Sequence, residues 1–213
     1  MKVRSEAARI GVVIYDGVEP IDLGGTAGVV SIAKRILPGI SSVLIAERTG
    51  PVRLAGGVTV LAQADFASAP PCDVFVVCGG PGWRDQVSNA AMLGFLKSHR
   101  RPQVASVCTG ALILAAAGVL DGLKATTRRT AVGVEHASPL DQLQTYAATV
   151  QPHAAQVVED GGVVTAGGVS LAIDGTLYLI GRLYGQAAMI EVAQAIEYDR
   201  ALEANRLALG VQV

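Results

Sequence analysis

Cys108 is the residue whose surroundings point most directly to a reaction. It lies in Ser106-Val107-Cys108-Thr109-Gly110, with a small residue two before the thiol and Gly two after it. This is the sulfur counterpart of the G-x-S-x-G elbow, where a sharp strand-to-helix turn projects a nucleophile and bulky neighbours would clash. Such a turn sets the thiol near the amino end of the next helix, which favours the thiolate and predicts a lowered pKa. The N–H of Thr109 would face a developing oxyanion, and the Gly79-Gly80 turn offers a second donor from a neighbouring strand.

A thiol nucleophile also needs a proton partner. Glu19 and Asp22 stand in Gly17-Val18-Glu19-Pro20-Ile21-Asp22-Leu23, just after the first predicted strand. A carboxyl facing a thiolate would have its pKa raised by the like charge, while Asp22 is equally suited to cap a helix. His99, His136 and His153 flank no predicted strand end beside Cys108 and read as surface or loop residues. Cys72, in a loop after Pro70-Pro71, and Cys78, ending an apolar strand, read as small buried hydrophobes.

The elements that must position these groups alternate. Near-continuous apolar runs at Ile10–Tyr15, Ser42–Ala46, Asp73–Cys78, Val104–Val107 and Val163–Ala166 suit strands of a parallel sheet covered on both faces. Shorter strands are predicted at Lys124–Thr127 and Gln156–Val158, and a hairpin over Val52–Leu61 around Gly56-Gly57. Helices are predicted over Leu23–Ile36, Asn89–Ser98, Ala111–Ala117 with Gly118 as cap, Ser170–Tyr184 and Ala187–Tyr198, leaving Leu207–Val213 as a surface tail. The pattern predicts a single α/β domain over residues 1–213: a flavodoxin-like, doubly wound, mostly parallel sheet with helices on both faces. Ligands of such sheets sit beyond the carboxyl ends of the strands. Cys78-Gly79-Gly80, Val107-Cys108-Thr109-Gly110 and Ala166-Gly167-Gly168 would therefore meet at one rim. Gly79, Gly167 and Trp83, the only Trp, are the expected pocket residues.

Composition narrows the classes. Apolar residues are 51% of the 213, charged residues 16% and aromatics 4%, so a sizeable core is available. A net charge of −1 gives nucleic-acid binding no electrostatic support. The longest central apolar run, Ala111–Leu120, is too short to span a membrane. No secretory signal is visible, and three cysteines without metal-like spacing suit a reduced, cytoplasmic protein.

Ile21-Asp22-Leu23, Gly79-Gly80-Pro81-Gly82, Ser106-Val107-Cys108-Thr109-Gly110-Ala111, Leu120–Thr127 and Ala166-Gly167-Gly168 follow the order expected of the ThiJ/PfpI superfamily, a class I glutamine amidotransferase-like group. The resemblance runs from about Ile10 to Tyr198. Cys-Thr-Gly-Ala resembles the isocyanide hydratase branch and the sensor domains of AraC-type regulators. The protease branch carries His where this chain has Thr109. The resemblance implies a homodimer and a small-molecule substrate or ligand, with no metal or organic cofactor. Cys108 would be the nucleophile, Asp22 its general acid and base, and Gly80 and Thr109 the oxyanion donors. It implies hydration of an isocyanide to an N-formamide, or, alternatively, non-catalytic sensing of a small molecule or an oxidant. Two segments depart from the pattern. Asp22-Leu23-Gly24-Gly25-Thr26 replaces Asp-Leu-Thr-Gly-Pro, and Arg128-Arg129 stands where the hydratase branch has His-Trp, which implies a polar or anionic ligand.

Overall fold

A computed structural model describes residues 1–213. The strands are β1 (Ala8–Val13), β2 (Ile40–Ala46), β3 (Gly50–Arg53), β4 (Thr59–Ala62), β5 (Ala64–Asp65), β6 (Val74–Val77), β7 (Val104–Val107), β8 (Lys124–Ala125), β9 (Gln151–Pro152), β10 (Val157–Asp160), β11 (Val163–Ala166) and β12 (Val211–Gln212). The helices are α1 (Pro20–Leu23), α2 (Val29–Ala33), α3 (Trp83–Gln86), α4 (Ala90–Lys97), α5 (Gly110–Ala116), α6 (Pro139–Tyr146), α7 (Ala172–Tyr184), α8 (Gln186–Ala195) and α9 (Asp199–Leu209).

Eight strands make one sheet in the order β12-β10-β11-β7-β6-β1-β2-β5. Every pair is parallel except β10 with β11. The apolar run of β6, and that of β7 broken only by the small Ser106, are explained by position: all four residues of each are buried, because helices cover both faces. On one side α2, α7 and α8 pack together; on the other α3, α4 and α6 gather around α5. The result is the flavodoxin-like α/β sandwich that the alternation predicted.

Local chemistry sets the element ends. Pro20 sits in the first turn of α1, where its fixed φ suits helix entry. The helix then runs through a π turn at Gly24–Gly28 into α2, so it begins earlier than Leu23. Asn89 caps α4 by accepting the Ala91 and Met92 N–H groups at 2.9 and 3.1 Å. The predicted hairpin is β3 with β4, antiparallel and pairing Gly50 with Ala62.

Two expectations are corrected, and one helix was missed. Thr126 and Thr127 lie outside any strand; only Lys124–Ala125 pairs, with β9 in a separate two-stranded sheet. The tail is not loose: α9 runs to Leu209 and Val211–Gln212 joins the main sheet beside β10. Helix α6 was not foreseen, although Ser138-Pro139-Leu140-Asp141 carries its start signal, with the Ser138 hydroxyl accepting the Asp141 N–H. No helix is long and apolar enough to cross a membrane.

Candidate active site

The strand order turns at β1, with β2 and β5 on one side and β6 and β7 on the other. A crevice opens at such a point beyond the carboxyl ends of the strands. The segments following β1, β6, β7 and β11 converge there, and bring together Asp22, Gly79, Cys108 and Gly168.

Cys108 has φ +50°, in the left-handed region that non-glycine residues seldom enter. Its neighbours hold it there. The Cys108 N–H donates to the Ala166 and Gly167 carbonyls at 3.1 and 3.0 Å, and its carbonyl accepts the Thr127 hydroxyl at 2.6 Å. The elbow spacing has a direct cause: a Cβ at Gly110 would lie 2.1 Å from the Val77 carbonyl oxygen. Likewise, a Cβ at Gly168 would lie 2.4 Å from the Cys108 sulfur. Only glycine leaves room for the thiol there.

The thiol is 2% exposed. Burial pushes its pKa up, the Asp22 charge pushes it further, and the Thr109 N–H and Arg128 pull it down. The lowering expected from the helix end is therefore reversed: desolvation outweighs one facing amide and a helix of seven residues. Burial thus favours the protonated thiol, and Asp22, raised to about 7, is the group of the pair that titrates near neutrality.

Asp22 is fully buried. It does not cap α1; it stands within the first turn, behind Glu19 as the capping position. Its Oδ2 accepts the Gly79 N–H at 2.8 Å, while Oδ1 has no nitrogen or oxygen partner. The carboxyl lies near enough to the Cys108 thiol for each to shift the other's pKa, although no hydrogen bond joins them. Burial raises its pKa to about 7, against the lowering effects of the Gly79 N–H, the thiol and Arg128; Glu19 adds a smaller upward push. The rise was expected from a facing thiolate, but desolvation is its main cause.

The two oxyanion donors do not stand alike. The Thr109 N–H faces the sulfur. The Gly80 N–H instead donates to Thr109 Oγ1 at 2.9 Å, so in this structure it is engaged. Gly79 serves Asp22 and Gly167 anchors the Cys108 N–H; neither lines the cavity, contrary to expectation. Trp83 does line it, while being 2% exposed.

That cavity, of about 1110 Å³, has Cys108 and Thr109 in its wall together with Glu19, Trp83, Arg84 and the 128–137 loop. Several of its residues were not singled out beforehand, Glu135 and Val169 among them. Glu135 ties the loop down, accepting from Arg128 at 2.7 Å and from Arg84 at 3.2 Å. His136 is exposed on this loop, as read from sequence, and also reaches the cavity wall. Val169 follows the glycine against the sulfur and joins the wall. Arg128 is there as its sequence position suggested, but paired; Arg129 is exposed and lies outside the lining. No three His, Cys, Asp or Glu side chains gather in a metal-holding cluster.

The chain belongs to the DJ-1/PfpI family, whose profile matches residues 8–180. It is 32% identical over 161 residues to the isonitrile hydratase of Pseudomonas putida, covering 75% of this chain and 64% of that protein, just under two thirds of the relative's length. Among solved structures it is similar to a ThiJ/PfpI family protein from Pseudomonas syringae, with a TM-score of 0.76, 28% identity, and coverage of 92% of this chain and 76% of the other. An AraC family transcriptional regulator from Pseudomonas putida shares the fold, with a TM-score of 0.71 at 18% identity, covering 89% of this chain and 98% of that one.

Proposed function

We propose that this protein hydrates isocyanides to N-formamides through a thioimidate on Cys108. The carrying observation is the buried Asp22 carboxyl set against the Cys108 thiol in the wall of a cavity. The similarity to an isonitrile hydratase supports the choice of reaction.

The chemistry follows from the shared proton. A buried thiol is a poor nucleophile until a base takes its proton in the same step. Asp22 accepts it as sulfur attacks the isocyano carbon, and then returns it to that carbon, giving R–N=CH–S–Cys108. Water adds to this carbon while the nitrogen gains a proton, and the carbon–sulfur bond breaks. The products are R–NH–CHO and the free thiol. The Thr109 N–H favours negative charge on the departing sulfur. No oxidant or reductant is consumed.

The homodimer that the resemblance implies and the cytoplasmic setting read from cysteine usage belong to this reading. Three unpaired cysteines are what a reducing compartment leaves, and sedimentation of the purified chain reads its oligomeric state. The second reading, a small-molecule sensor, is supported by the fold shared with a transcriptional regulator. Oxidant sensing is weakened by the burial of the thiol, since reactive sensor thiols are exposed and acidic.

The test is turnover of an alkyl isocyanide with formamide detected directly. Wild type turns over, Cys108→Ala does not, and Asp22→Asn loses at least about 10²-fold in kcat/KM. Because Asp22 must be ionised to accept the proton, kcat/KM should rise with pH up to about 7 and then level. Binding of isocyanide without turnover by wild type would leave the sensor reading standing.

A further inference from the structure

We infer that Thr127 is a positioning residue for the reaction: its hydroxyl, by gripping the Cys108 carbonyl, aims the Thr109 N–H at the reacting sulfur; this rests on the hydratase reading and adds a residue to it. The Cys108 carbonyl and the Thr109 N–H belong to one peptide unit. In a planar trans peptide the two point in opposite directions, so whatever fixes the carbonyl fixes the N–H. The Thr127 hydroxyl donates to that carbonyl at 2.6 Å. The carbonyl's other donor, the Ala111 N–H in the first turn of α5, stands at 3.4 Å, longer than a well-formed bond of this kind. The helix alone would thus hold this peptide loosely. A donor on the carbonyl also polarises the peptide and strengthens its N–H as a donor in turn.

Thr127 is itself held in place for this. It is buried and follows β8, which ends at Ala125. Before it, the Thr126 N–H donates to Thr165 Oγ1 of β11 at 2.9 Å, and the Thr126 hydroxyl donates to the Ala155 carbonyl at 3.1 Å. After it, Arg128 pairs with Glu135 at 2.7 Å. The chain is therefore tied on both sides of the hydroxyl that grips the elbow. Thr127 does not line the cavity, so it acts through the Thr109 N–H and not on the substrate. That N–H is the backbone group that favours charge on the sulfur. Thr126 provides an internal comparison: it is equally buried, and its hydroxyl holds the carbonyl of a different peptide unit.

The experiment compares Thr127→Val, which keeps the shape and drops the hydroxyl, with Thr127→Ser, which keeps the hydroxyl, and Thr126→Val, which drops the neighbouring one. Removing an oxyanion donor outright costs about 10²–10³ in kcat, so losing its aim in Thr127→Val should cost at least about tenfold in kcat, with KM changed less than about threefold. Thr127→Ser should restore most of kcat, and Thr126→Val should keep the wild-type value. A kcat that Thr127→Val leaves unchanged, an equal fall in Thr126→Val, or no recovery in Thr127→Ser overturns the positioning role while leaving the hydratase intact. A second readout needs no isocyanide: the rate at which iodoacetamide alkylates Cys108 at one fixed pH, followed by the mass of its peptide. With the N–H turned away the thiolate is disfavoured, so alkylation should slow at least about threefold in Thr127→Val and recover in Thr127→Ser. Alkylation that Thr127→Val leaves unchanged overturns the inference. If wild type turns over no isocyanide, the hydratase reading fails and the alkylation rates alone decide the role of Thr127. Circular dichroism confirms that each variant is folded, and Thr127→Ala takes the place of a valine variant that is not.

Discussion

Asp22 and Cys108 divide one proton, and the division has a cost that can be measured. The Asp22 carboxyl ordinarily loses its proton near 3.8 but holds it to about 7 when buried here. The folded state thus binds the proton more tightly than the unfolded chain, so the stability from this group is present below about 4 and falls as pH rises towards 7. Asp22→Asn removes the buried charge while its amide oxygen can still accept the Gly79 N–H. At pH 8 that variant should be the more stable protein, by a few kcal/mol at most, with the advantage vanishing near pH 4; urea melts at the two pH values check it. At this scale the sequence was informative where a motif carries its own geometry. Cys108 and Thr109 could be named from spacing, and Asp22 from the resemblance, since position alone left Glu19 open beside it. The sulfur's protonation could not, because it depends on how far Gly168, sixty residues away in the chain, lets the protein close over it.

Elements show the same division. The strands were legible because covered strands read as solid apolar runs, and the elbow because Gly110 must pass the Val77 carbonyl. The 128–137 loop was opaque: it has no periodicity, and Glu135 and His136 reach the cavity only because the Arg84 and Arg128 guanidiniums pin it. Helix α4, which helps cover the sheet, depends on its cap. Asn89→Ala strips the acceptor from two N–H groups, and should lower stability by about 1 kcal/mol without changing the pH dependence of turnover. A thermal melt paired with a rate profile tests both halves.

Across the whole molecule, the sheet ends in a latch that sequence reading left as a tail. Asp174 of α7, 1% exposed, accepts from Gln156 at 2.6 Å, Tyr198 at 2.9 Å and Asn205 at 3.2 Å. It thereby fastens α9 and the approach to β12 onto the body. The contributing residues span Gln156 to Asn205, a separation no local pattern reveals. Asp174→Ala strands three donors and should cost about 3 kcal/mol, with hydrogen exchange rising first in 199–212. The left-handed backbone at Cys108 bears on descent. A turn of that hand held by a residue with a Cβ costs of order 1 kcal/mol over glycine, and the buried acid at position 22 adds its own burden. Mutational drift under selection for folding alone would erase both. Relatives that retain the two together are thus marked as lineages in which chemistry, rather than mere persistence of the scaffold, is still being kept.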